Sequence, residues 1–365
     1  MSLFKPDTTA ALEVPARRGR PPGSGGPRLA EWTTLGVGGP ARELVEVADI
    51  GALQEVLGRA AAKADPLLVL GGGSNVLIAD EGFPGIVAHI GLKGRVARSE
   101  GGDVIVSVAA GEDWASFVER CVDEGLSGVE CMSGIPGSVG GAPVQNIGAY
   151  GEEVRETITR VMVWDRRQSR ARRLTAAQCR FSYRGSIFKR NERYIVTEVT
   201  FRLHRSTLSQ PLRYAEVAER LGRRLGARAP LAETADAVMG LRRSKGMVID
   251  HTDPDTRSAG SFFTNPVLGD AQLGRVAALL PGVPQFAAAG GTKVPAAWLV
   301  EGAGFARGFS RGTAAISTKH ALALTSRPGG SAADVVALAV QVRGAVQRRF
   351  GVLLEPEPVL VGARL

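Results

Sequence analysis

The sequence predicts a mixed α+β fold in more than one domain, and three observations carry that reading. The chain has 365 residues and 44% hydrophobic content, enough to bury a substantial core in two or three domains. Alternation of period two marks strands, clearest over residues 194–203, where Ile195, Thr197, Val199 and Phe201 fall opposite Val196, Glu198 and Thr200. Helical spacing marks other segments, clearest where Val335, Leu338, Val342, Ala345 and Val346 recur before Gly351, a C-cap residue.

Taken in order, residues 1–28 include ARRGRPPGSGGPR, too rich in Pro, Gly and Arg to support a packed core, and read as a disordered basic tail. From Asp49, read as the N-cap, a helix runs to about Lys63 with Leu53, Val56, Leu57 and Ala60 on one face. PLLVL then makes a short buried strand that ends in GGGSN, and GIVAHI makes another. A second block opens with the strand VIVSVAAG, continues through a helix carrying Phe117 and Cys121, and enters a long glycine-rich loop over residues 134–151. Strands follow at 160–164 and 194–203, and helical patterns at 214–225 and 233–243. After the last helix, VLLEPEPVLVG reads as a buried strand, which leaves the acids Glu355 and Glu357 in need of a reason.

Several chemistries are disfavoured. No ordered Ser, His, Asp set and no metal-ligand spacing occurs around His89, His204, His251 or His320, so no metal is expected. Cys121, Cys131 and Cys179 lack CxxC spacing and read as buried, reduced thiols. No run of 18 apolar residues and no secretory pattern is present, so no membrane span is expected and the location is read as cytoplasmic. The net charge of +9 favours anionic partners, yet much of it lies in the tail and in residues 155–173, where seven arginines face two acids without aromatic interleaving. Nucleic acid is therefore not expected as a partner.

Five segments could carry chemistry. GVGGPA at 36–41 fits GxGxxA formally, but no strand precedes it and Pro40 is poorly placed for a phosphate turn. GGGSN follows a strand and could present N–H groups to a diphosphate, although it reads equally as a plain turn. GIPGSVGGAPVQNIGAYG has a backbone suited to close approach by a flat or charged ligand. FSYRGSIFK sets Tyr183, Arg184, Ser186 and Lys189 among apolar residues, where Arg184 calls for an anion, with a surface strand as the alternative. GSFFTNP places Ser261 between Gly260 and two phenylalanines, a dry setting for proton donation, while a backbone-bonded serine is the ordinary reading.

Together these segments resemble the bacterial UDP-N-acetylenolpyruvoylglucosamine reductases, flavoenzymes of peptidoglycan precursor synthesis. The likeness rests on TTLGVGGPA, LGGGSNVLIAD, GIPGSVGGAPVQNIGAYG, CRFSYRGSIFK, PLRYAEV, RRSKGMVID, GSFFTNP, WLVEGAG, STKHAL and LEPEPVLVG in that order, from about Thr33 to Gly362. It implies an FAD-binding fold of the vanillyl-alcohol-oxidase type. The two FAD-binding subdomains would be 29–91 and 92–230, joined by a returning C-terminal strand within 352–365, and the smaller substrate-binding domain would be 231–351.

By the same resemblance, FAD would be held by Gly71, Gly72, Gly73, Ser74, Asn75, Val76, Ile135, Pro136, Gly137, Ser138, Gly140, Gly141, Gln145, Asn146, Gly148, Ala149 and Tyr150. Arg184, Ser261 and Glu357 would be catalytic. Tyr183, Tyr214, Lys245, Asn265 and Lys293 would bind UDP-N-acetylglucosamine enolpyruvate, with NADPH as reductant. PLRY implies the subgroup with a tyrosine loop, and a monomer is expected. An FAD-dependent oxidase of the same flavin-binding fold is the alternative, disfavoured by GSFFTNP and LEPEP. The basic tail lies outside the resemblance, which carries no firm expectation for Arg213 or Arg307.

Overall fold

The computed structural model describes residues 25–365. Most of the expected tail lies outside these residues. Its end does not: Ala41 donates to the Pro27 carbonyl at 2.9 Å and Arg28 bridges Pro40, so 25–28 belong to the fold.

The first unit is a three-stranded parallel sheet with Phe83–Ile90 between Ala41–Val47 and Leu67–Leu70. The helix Ile50–Lys63 connects the two outer strands, the crossover that parallel strands of one sheet require. It starts where the Asp49 carboxylate accepts from the Ala52 N–H at 2.8 Å, and it buries Leu53, Val56 and Ala60.

The second unit is an antiparallel sheet ordered Arg170–Thr175, Ile158–Asp165, Tyr194–Arg205, Asp103–Ala109, Arg95–Glu100. The helix Trp114–Asp123 packs Trp114 and Phe117 against Phe201 of its central strand, and this core also contains Val47, Leu53 and Ile86 of the first unit. The two units therefore share one apolar core, along whose edge the glycine loops lie.

The third unit contains a four-stranded sheet, Ser258–Ser261, Ala323–Ser326, Ala314–Ile316 and Ser310–Arg311, covered by the helix Ala332–Phe350. That helix ends at Gly351 with φ +70, a left-handed cap that costs glycine little. Its N-terminus is held from the first unit, because both Asp80 carboxylate oxygens accept from the N–H groups of Ala332 and Ala333. The chain then returns, and Val359–Val361 runs parallel to Val76–Ile78 just beyond the GGGSN turn.

Two expectations need correction. The helix predicted over 214–225 is only Ala215–Arg220, because Gly222 adopts φ +60 directly after it. The segment VLLEPEPVLVG is a strand only at Val359–Val361, since Pro356 and Pro358 remove the N–H donors that a longer strand needs. The helix Leu231–Ser244 buries Val238 and Leu241 against Cys131, Leu212 and Val217.

Candidate active site

The two glycine segments pack against each other in the wall of a cavity of about 300 Å³. Their nesting explains the residue types. A Cβ on Gly72 would stand 2.6 Å from Gly137 Cα, and one on Gly71 would stand 2.5 Å from Ser138 Oγ, so neither turn could approach the other with larger residues. On Gly141, by contrast, a Cβ would meet no protein atom nearer than 3.7 Å.

The wall includes residues 71–76, Pro136, Gly137, Ser138, Gly140, Gly141 and Gln145. Ala142, Val144 and Ile147 add apolar surface, while Arg166, Lys189 and Arg190 add positive charge. Apolar walls, close-approach backbone and flanking cations suit a flat ring joined to a diphosphate, so the cavity fits FAD.

Ile135, Asn146, Gly148, Ala149 and Tyr150 do not line it. Asn146 is fully buried, and its amide is committed within the protein: Nδ2 donates to Glu153 at 2.9 Å and to the Ser182 carbonyl at 3.0 Å, while Oδ1 accepts from the Arg155 N–H. It ties the loop to the turn that carries Arg184. Gly148 accepts from Arg184 Nη2 at 2.9 Å through its carbonyl. Tyr150 points to a different cluster, described below.

Arg184 occupies the third position of the Ser182–Gly185 turn with φ +51, a place turns usually give to Gly or Asn. A bulky side chain held there is a strained arrangement maintained by its surroundings. Its Nε lies 3.3 Å from Glu357 Oε1, an ion pair without hydrogen-bond alignment, and both side chains are largely buried at 22% and 13% exposure.

Glu357 is fixed from two sides. Its N–H donates to the Phe262 carbonyl at 2.9 Å, and its carbonyl accepts from Asn75 Nδ2 at 3.3 Å, the same amide that donates to Gln145. The segment around Ser261 lies along this stretch: Phe263 bridges Pro356, and Thr264 donates to the Glu355 carbonyl at 3.0 Å. Ser261 ends the strand Ser258–Ser261 after Gly260, whose φ of +72 breaks the register. Among the described residues its half-buried hydroxyl has no hydrogen-bond partner, which sets aside the backbone-bonded reading. Arg184, Glu357 and the segment that carries Ser261 thus meet near the GGGSN turn from three distant stretches of chain.

Around Arg184 the Tyr183 ring takes the Lys293 ammonium at 5.0 Å from its centroid. Burial raises the Tyr183 phenol above its ordinary pKa, with Arg184 opposing and Asn265 hydrogen bonding to it. Asn265 Oδ1 also accepts from the Ala296 N–H at 2.9 Å. A second cluster holds Tyr214 edge-on to Tyr150, 5.3 Å between centroids, with the Lys245 ammonium 5.4 Å from the Tyr150 ring and paired to Glu216. Tyr214 is 44% exposed, as a covering residue would be.

Two neighbours of that cluster were not anticipated. Arg242 is buried, and burial lowers its pKa to about 10. His320 is pushed down to about 4 by burial and then by the charges of Lys245, Arg307 and Arg242. Its Nδ1 accepts from the Leu322 N–H at 3.1 Å. Both lie in motifs quoted for the resemblance, RRSKGMVID and STKHAL, but neither has a local pattern that reveals its role.

Two α/β units clasping a glycine-walled cavity, closed by a third that brings a serine and a carboxylate to an arginine, define an FAD-dependent oxidoreductase with the vanillyl-alcohol-oxidase type of flavin fold. Residues 41–174 match the family described as FAD binding domain, and residues 252–361 match that described as UDP-N-acetylenolpyruvoylglucosamine reductase, C-terminal domain. The chain belongs to the UDP-N-acetylenolpyruvoylglucosamine reductase family. It is 51% identical to the protein of that name from Thermobifida fusca over 92% of this chain and 97% of the relative. Identity to the Salinispora arenicola protein of the same name is 49%, over 92% and 95%. The crystal structure of UDP-N-acetylenolpyruvylglucosamine reductase from Thermus caldophilus is 26% identical, with a TM-score of 0.62 over 92% of this chain and 97% of that one.

Proposed function

We propose that this protein reduces UDP-N-acetylglucosamine enolpyruvate to UDP-N-acetylmuramate in peptidoglycan precursor synthesis, with NADPH as the electron source. The observation that carries the reading is the Arg184–Glu357 ion pair at 3.3 Å, held to the Ser261 segment through the Phe262 carbonyl. Residues 71–76 and the 136–145 stretch would hold FAD, which when bound would supply the hydride for the reduction of the enolpyruvyl double bond.

Arg184 faces the substrate carboxylate, where negative charge accumulates as the double bond is reduced, and a fixed guanidinium lowers the energy of that charge. Glu357 orients the guanidinium. Ser261 donates its proton to the carbon bearing the ether oxygen, and its placement offsets the weak acidity of a hydroxyl. Tyr183, Asn265 and Lys293 hold the end of the substrate near Arg184, while Lys245 and Tyr214 hold and cover the sugar nucleotide. The enzyme is read as a cytoplasmic monomer.

The test is anaerobic. NADPH should bleach the bound flavin, and UDP-N-acetylglucosamine enolpyruvate should restore its colour. Restoration by other acceptors but not by this compound would remove the substrate assignment.

A further inference from the structure

Lys189 closes the FSYRGSIFK motif and, beyond being one of the cations of the cavity wall, has no role in the proposed reaction. Its ammonium donates to the main-chain carbonyl of Arg184 at 3.0 Å, and the same residue forms part of the wall of the cavity that the glycine turns line. The carbonyl it holds belongs to the residue whose φ of +51 is unfavourable for a side chain of that size.

Among the described residues no carboxylate lies within ion-pair distance of Lys189. Glu357, the acid that most favours its charge, is paired to Arg184 instead. Burial works against the charge, as do Arg190 and Arg184. A partly buried ammonium that no acid neutralises, set in the wall of a cavity, is stabilised by whatever negative charge that cavity takes up.

We propose that Lys189 is a positioning residue that locks the Arg184 turn and also sets the electron affinity of flavin bound in the cavity, favouring the reduced, more negative form. The proposal rests on the reading of the cavity as the FAD site. A fixed charge near a flavin ring is one of the means by which a protein tunes its potential.

The test is the midpoint potential of the protein-bound flavin, measured on the full chain by anaerobic dye-coupled titration. Lys189→Gln keeps an N–H donor for the Arg184 carbonyl but removes the charge. It should shift the reduced-to-oxidised ratio about tenfold toward oxidised, which is ~30 mV more negative for a two-electron couple. Lys189→Arg keeps the charge and should titrate with the wild type.

A flavin-loaded Lys189→Gln protein with the wild-type potential overturns the proposal, because hydrogen bonding alone would then account for the lysine. Should the glutamine variant lose its flavin, a Lys189→Arg protein whose potential falls by that same amount overturns it equally. Wild-type protein that binds no FAD removes the cavity reading itself, a failure separable from the other two.

Discussion

The main-chain N–H of Glu357 donates to the carbonyl of Phe262 at 2.9 Å, and this one bond sets the carboxylate that meets Arg184 beside the residue that follows Ser261. The carboxylate that pairs with Arg184 and the segment that carries Ser261 are thereby tied together through the main chain.

From this arrangement, Arg184→Met should lower kcat by on the order of 10²-fold or more, the scale found when one fixed stabiliser of developing charge is removed. Arg184→Lys should restore little. The guanidinium uses Nη2 toward the Gly148 carbonyl and Nε toward Glu357, a fork that a single ammonium does not reproduce. Steady-state kinetics of both variants checks this, and a lysine variant within a few-fold of wild type would contradict it.

The glycine turns give a second expectation. A Cβ at Gly72 would meet the Gly137 and Ser138 backbone at 2.6 to 2.9 Å, and backbone cannot yield as a flexible side chain can. Gly72→Ala should force the turns apart, costing roughly 1–3 kcal/mol of stability as overpacking does, and should purify with less flavin. Denaturant melts and the flavin-to-protein absorbance ratio measure both. Gly141→Ala should leave the melt unchanged, because its Cβ meets nothing closer than 3.7 Å.

Much of this was legible because local chemistry repeats local patterns. Asp49 and Gly351 cap their helices as read, and glycines at positions 71–73 sit where only small residues fit. What local pattern could not tell was the direction in which a long loop turns its residues. Asn146 and Tyr150 share a motif with the cavity wall but face inward to the protein and toward Tyr214. The meeting of Ser261 with Glu357 likewise depends on pairing between segments far apart in the chain. The proximity of Arg242 and His320 to Lys245 depends on the packing of separate elements, so neither relationship leaves a signal in periodicity.

Stability should depend on Glu152 as pH changes. Its carboxyl is buried, its Oε2 accepts from the Cys131 N–H at 2.9 Å, and burial followed by repulsion from Glu130 raises its pKa from 4.5 to about 8. The folded state thus holds this proton more tightly than the unfolded chain does. Its contribution is complete below about pH 4.5 and is lost as pH rises toward about 8. Glu152→Gln cannot ionise, so denaturant melts should show the wild type losing stability relative to the variant across that window. Parallel curves would contradict the assignment.

The central claim is that Ser261 gives the proton while Arg184 and Glu357 manage the charge, and separate half-reactions test it most directly. In anaerobic stopped flow, Ser261→Ala should be reduced by NADPH at nearly the wild-type rate. Its reoxidation by UDP-N-acetylglucosamine enolpyruvate should be slower by several orders of magnitude, beyond the roughly 10²- to 10⁴-fold usual for a proton donor only if the hydroxyl also orients substrate. Equal slowing of both half-reactions, or reoxidation at the wild-type rate, would contradict the account.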